Sequence, residues 1–173
     1  MNDSSSPATF QHFDPDVMRG ERIHRFYNYW LEKKQGKRFP DQSSVDVLEL
    51  DDLIGIVSYI DVLNASASSP GDGLDSGAGP RFRLRLIGSE VVFRSGQDNT
   101  GKIVDEIEDE VARDILLASY SEVTSRQEPY WVNRESIFDG KLYVYECLIV
   151  PLADATGTIS RLMSIVDYPP DRG

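Results

Sequence analysis

The chain has 173 residues, 40% of them hydrophobic and 27% charged, with a formal net charge of −11. That length suits one domain with a proper core and is too short for two well-buried ones, and no run approaches the roughly 20 apolar residues of a membrane-crossing helix. The acidic excess repels phosphate backbones and argues against nucleic acid as a partner, while a single cysteine, Cys147, leaves neither an intramolecular disulfide nor a cysteine-based metal cluster, which fits a reducing cytoplasm.

Residues 1–20 are expected to form a disordered tail, because Met1 to Thr9 is Ser-rich and lacks the basic start and apolar segment of a secretory signal. From Glu21 to Gln35, the residues Ile23, Phe26, Tyr27, Trp30 and Leu31 recur at helical spacing and place large side chains on one stripe. At about 1.5–3 kcal/mol per fully buried large side chain, that stripe must cover a sheet face or a partner. Gly36 is placed to end the helix in a left-handed cap. Pro40 to Ser44 reads as a turn, Asp46 to Ile54 as one or two helical turns, and Gly55 to Leu63 as a first strand. Residues 64–79 are small, turn-forming types that bury too little to offset their ordering entropy, so a flexible loop is expected there.

In Arg81 to Leu86, Phe82, Leu84 and Leu86 alternate with Arg81, Arg83 and Arg85, the two-residue repeat of a second strand. After Gly88, Ser89 is positioned to cap a short helix containing Val92 and Phe93. Gly96 and Asn99 to Gly101 break it, and Ile103 to Glu110 follows as an acidic helical stretch with Ile103, Val104 and Ile107 inward. A long helix is expected over Val111 to Arg126, started by Asp109 or Glu110 and stopped before Pro129. Three strands complete the chain: Tyr130 to Phe138, then after an Asp139-Gly140 hairpin turn Leu142 to Leu152, and finally Thr158 to Tyr168. In the middle one, Leu148 and Val150 share one face and Cys147 and Ile149 the other, so it is covered on both sides.

Strand, glycine, short helix, polar break and longer helix is the order of a PAS core, and four motifs carry a closer likeness. Tyr29-Trp30 in the first helix, the basic turn Lys37-Arg38-Phe39-Pro40, the strand end Arg85-Leu86-Ile87-Gly88 and the turn Thr100-Gly101 resemble the stand-alone PAS domains of alphaproteobacteria (the PAS_5 group) across Ile23 to Val166. The resemblance implies an α+β fold: a five-stranded antiparallel sheet with helices inserted between strands 2 and 3, and an amphipathic N-terminal helix over the outer sheet face. It bounds a single domain at residues 21–168, with 169–173 as a tail. It also implies a cytoplasmic, non-catalytic sensory or regulatory module that acts through other signalling proteins and forms a homodimer, with no membrane insertion.

Under that reading a small ligand sits between the sheet and the inserted helices, against Phe82, Leu84, Leu86, Val92, Phe93, Ile103 and Ile107. Phe26, Tyr27 and Trp30 would offer a contact surface, and Arg85, Gly88 and Gly101 are the motif positions to watch. Haem is not expected, because His12 and His24 both precede the sheet. A flavin–thiol adduct is not expected either, because Cys147 lies in a strand and reads as a small buried hydrophobe. The acidic run Asp105 to Glu110 lacks the glycine of a calcium loop and reads as a solvated face, and Asp72 and Asp75 fall short of the same pattern. Arg81, Arg83 and Arg85 read as a salt-bridged strand face rather than an anion clamp. Two alternatives remain: a small cone-shaped isomerase or dehydratase using Glu146 as an inward acid or base, and a ligand-free structural adaptor docking through its aromatic stripe.

Overall fold

The computed structural model describes residues 12–63, 79–138 and 141–168, and the side chains of 135–138 and 141–143 are left aside. Three α-helices and five strands alternate with 3-10 turns: α1 (Glu21–Lys34), β1 (Val57–Leu63), β2 (Arg81–Leu86), α2 (Ser89–Ser95), α3 (Glu110–Arg126), β3 (Tyr130–Phe138), β4 (Lys141–Ala153) and β5 (Ile159–Asp167). All strand pairs are antiparallel and the order is β2-β1-β5-β4-β3. This is the expected α+β arrangement, with α2 and α3 inserted between β2 and β3. The expected loop over 64–79 falls almost wholly outside the described residues, as do the Asp139-Gly140 turn and the tail from 169 onward.

Each sheet face has its own cover. On one face α1 buries Ile23, Phe26 and Trp30, three large side chains spaced i, i+3 and i+7. The Trp30 indole donates to the Pro151 carbonyl at 2.9 Å. That contact explains a proline within a central strand. β3 ends opposite Ile149 at Tyr130, so beyond it the edge of β4 is vacant and no ladder bond is lost at Pro151. Trp30 and the Pro40 carbonyl, which accepts from the Ala153 amide at 2.9 Å, fill that edge. On the other face α2 and α3 lie across the sheet, and Phe82 meets Tyr120 edge-on with ring centroids 5.4 Å apart.

Local details depart from the sequence expectation where tertiary contacts decide them. The first left-handed residue after α1 is Gln35 (φ 46), with Gly36 (φ 80) following in the same region. The N-cap of α2 is Gly88, not Ser89, and no side chain caps it. A Cβ on residue 88 would stand 2.3 Å from the Gly55 carbonyl oxygen, so the chain leaves β2 at a point where only glycine fits. Residues 103–109 form a single 3-10 turn at Val104–Glu106 rather than a helix, and three of the carboxylates are drawn into specific bonds. Glu106 accepts the Ile103 amide, Asp109 accepts the Ala112 amide as the cap of α3, and Asp105 pairs with Arg81 at 3.6 Å. Residues 12–20, expected as tail, pack onto the sheet through a 3-10 turn at Pro15–Val17 and a buried Met18.

Candidate functional site

Between the sheet and the helices α2 and α3 lies a cavity of about 280 Å³. Every strand contributes to its floor. Leu84 comes from β2, Ser58 from β1, Ser164 and Val166 from β5, Tyr145, Cys147 and Ile149 from β4, and Val132 and Arg134 from β3. The roof is one face of α3, with Ala112, Ile115, Leu116, Ser119 and Tyr120 at helical spacing, joined by Ile87, Val91 and Arg94 around α2. Space remains because the centre is lined by small groups. Ser58 and Ser164 are directly paired across β1 and β5, and Ser119 faces them from α3.

The polar groups on this wall differ in how far they are used. The Ser58 hydroxyl accepts from the Gly88 amide at 3.3 Å, and that of Ser119 donates to the Ile115 carbonyl at 2.8 Å. Arg94 is held by Glu90 at 3.0 Å and lies over the Tyr168 ring at 4.3 Å. Asp109, the carboxylate on the cavity wall, is occupied by the Ala112 amide. Several wall groups are unspent among the described residues: the hydroxyls of Ser164, a residue only 5% exposed, and of Tyr120, Tyr145 and Tyr168 make no hydrogen bond, and the guanidinium of Arg134 has no carboxylate within ion-pair distance. Burial pushes the Cys147 thiol up to about 12, with Arg134 opposing and Glu146 adding to the shift, so the sulfur is an uncharged wall atom rather than a nucleophile. Burial likewise raises Tyr145, Tyr168 and, most strongly, Tyr120.

Of the residues expected to line a pocket, Leu84 and Ile107 do so. Phe82 is fully buried beside the cavity against Tyr120. Leu86 is exposed at the end of β2, and Val92 and Ile103 are half-buried outside the wall; Ile103 instead bridges to Arg83. Phe93 is 85% exposed. The face of α2 turned inward carries Val91 and Arg94, with Ile87 just before it, and Phe93 falls on the opposite side of that turn.

The other nominated residues take structural places. Phe26 and Trp30 are buried beneath α1, so neither presents a contact surface, and Tyr27 is half-buried and stacked on Trp30. Arg85 pairs with Asp61 at 3.3 Å, and Arg161 reaches the same carboxylate at 3.1 Å. Gly101 (φ 87) turns the chain so that its amide donates to the Leu84 carbonyl at 2.6 Å, which covers the outer edge of β2. His12 meets Glu128 and His24 meets the Met18 carbonyl, both away from the cavity.

Glu146 does not face the cavity. It lies on the α1 side of β4, where its carboxylate accepts from the Arg19 and Gly20 amides, each at 2.8 Å, and from the Trp131 indole at 2.6 Å. Its ladder partner Asp167 pairs with Arg22, and burial raises the Asp167 carboxyl while Arg22 opposes the shift. A Cβ on Gly20 would stand 2.8 Å from Asp167 and 3.0 Å from Glu146, so the start of α1 is seated directly on two carboxylates. This is the favoured charge for a helix N-terminus.

The same architecture occurs among solved structures. The PAS domain of BvgS from Bordetella pertussis superposes with a TM-score of 0.50 at 16% identity, covering 74% of this chain and 90% of that one. A light-oxygen-voltage domain studied with a flavin analogue gives 0.47 at 12% identity over 72% and 84% of the two chains. A sensory box sensor histidine kinase from Vibrio cholerae gives 0.40 at 14% over 70% and 85%. The likeness to the BvgS domain is one of fold, and with the strand order above it makes this a PAS fold. No family model matches the chain, and no curated protein matches it in sequence.

Proposed function

We propose that the chain is a non-catalytic regulatory module of the stand-alone alphaproteobacterial PAS type, which takes a small ligand in its cavity and passes its state to another protein in the cytoplasm. The observation that carries this reading is the 280 Å³ space itself, apolar on most of its wall and furnished with a guanidinium and hydroxyls that nothing in the described fold uses. The enzyme alternative draws no support from the site. Its one nominated base, Glu146, anchors α1 on the far face, Asp109 is spent as a helix cap, and the Cys147 thiol stays protonated. Haem and a flavin–thiol adduct are not part of the proposal, because neither histidine borders the cavity and Cys147 projects from a strand.

The output surface in this reading is not the Phe26 and Trp30 stripe, which the core consumes. A homodimer, or a complex with a signalling partner, has to use outward residues such as Phe93. Native mass spectrometry of protein purified from its own host tests the ligand: a bound mass that is lost on denaturation is expected. A bare chain mass in every preparation would remove the reading in favour of a ligand-free adaptor. Light scattering across a wide concentration range tests the dimer, and a strict monomer would exclude it.

A further inference from the structure

The cavity runs beneath all five strands, from Leu84 on one edge to Arg134 on the other. Four inter-strand gaps of about 4.8 Å make that roughly 19 Å, and a volume of 280 Å³ spread over such a length is a long, narrow space. Much of its wall is aliphatic, with Ile107, Ile115, Leu116, Val132, Ile149 and Val166. Its β3 end carries the Arg134 guanidinium, opposite Tyr145 in the ladder. The guanidinium is half-buried on the cavity wall and has no carboxylate within ion-pair distance among the described residues, so its donors are available to an anion in the cavity. The other cavity arginine, Arg94, is already paired with Glu90. In a chain of net charge −11, an unpaired arginine is not explained by a shortage of acidic residues.

Resting on the reading that the cavity takes a ligand, we infer that its ligand is an elongated apolar molecule with a single carboxylate, the carboxylate held by Arg134 at the β3 end and the body lying toward the middle of the sheet. The planar guanidinium fork matches a carboxylate with two parallel donors, which an ammonium would not. The long-range field of the acidic chain opposes any anion, so selection rests on this short-range pair.

Octanoate and octan-1-ol share a chain and differ in the head, and calorimetric titration of both into the full chain isolates the contribution of Arg134. Octanoate is expected to bind at least tenfold more tightly than octanol, about 1.4 kcal/mol. Arg134→Gln should remove that preference and leave octanol within twofold of its native affinity, while Arg134→Lys keeps part of it. Thermal melts of both variants establish that they are folded. Equal binding of the two probes to the native chain overturns the inference, as does a preference that survives in Arg134→Gln. If neither probe binds while native mass spectrometry finds another molecule, the inference falls and the ligand reading stands. If Ile115→Trp, which fills the cavity, leaves that bound mass unchanged, the ligand reading falls as well.

Discussion

Gly88 allows a prediction worked through from contacts. In Gly88→Ala the new Cβ would lie 2.3 Å from the Gly55 oxygen, 2.6 Å from the Gly55 carbonyl carbon and 2.9 Å from the Ile56 nitrogen, all backbone atoms that cannot swing aside. Relief requires separating the start of α2 from the entry to β1. That lengthens the bond from the Glu90 amide to the Gly55 carbonyl, now 2.9 Å. Overpacking of this kind costs about 1–3 kcal/mol and a weakened hydrogen bond about 1 more. The reduced freedom of the unfolded alanine chain returns about 0.4–1. The net expectation is a loss of about 1–3.6 kcal/mol, or a Tm lower by about 2–14 °C for a chain of this size. Gly101→Ala is the control, because nothing lies within 4 Å of its Cβ position and its cost comes from φ 87 alone. That is about 1–2 kcal/mol, and Gly101→Asn should recover part of it, whereas Gly88→Asn should recover nothing. The assay is thermal and urea unfolding of the four variants. A Gly88→Ala protein melting within 1 °C of native would refute the steric argument.

Phe82→Ala should cost about 3–5 kcal/mol as a buried aromatic truncation, and Phe93→Ala less than about 0.5 as an exposed one, although both stand near the same cavity; urea unfolding measures the pair. Glu146→Leu strands the Arg19 and Gly20 amides and the Trp131 indole, so roughly 3 kcal/mol should be lost, with hydrogen exchange speeding up first at the start of α1. Cys147 should react with iodoacetamide at pH 8 on the order of a thousandfold more slowly than a free thiol, given a thiol raised to about 12; labelling at the ordinary rate would mean that the cavity wall opens. Hydrogen bonds and cationic neighbours hold Asp41, Glu49, Asp98, Glu128 and Asp154 below the usual carboxylate range, so the stability they supply is present above that range and lost as pH falls below it through their folded values. Asp167, raised by burial, works in the opposite sense, its contribution present at low pH and lost as pH rises through its folded value. A melt series from pH 7 to pH 3 should therefore fall, and Asp167→Asn should not remove the fall.

The strands were legible because alternation is a local signal: Arg81 to Leu86 and Tyr130 to Phe138 have the bounds read from the sequence alone. The stripe of α1 was equally plain, since Ile23, Phe26 and Trp30 need no knowledge of what they cover. Helical phase over two turns was not. In α2, Val91, Val92 and Phe93 are consecutive and apolar, and only the placement of β2 decides which of them turns inward. Arg134 was missed although a signal existed. An Asp139-Gly140 two-residue turn pairs Arg134 with Tyr145, and assigning Cys147 to one face of β4 puts Tyr145 on that same face and Glu146 on the other. Two of the partners of Glu146, by contrast, are backbone amides over 120 residues away in the chain, and no spacing rule reports such a contact.

β4 is the one layer between the cavity and the N-terminal helix. Its odd-numbered residues Tyr145, Cys147 and Ile149 are cavity wall, while Glu146, between two of them, is the seat of the N-terminal helix. The wall of the chamber and the mooring of the helix are thus opposite sides of a single backbone, one peptide unit apart. A twist of β4 made to accommodate an occupant would turn Glu146 relative to the Arg19 and Gly20 amides in the same motion, so the ladder would carry a change in the chamber to the outside of the sheet.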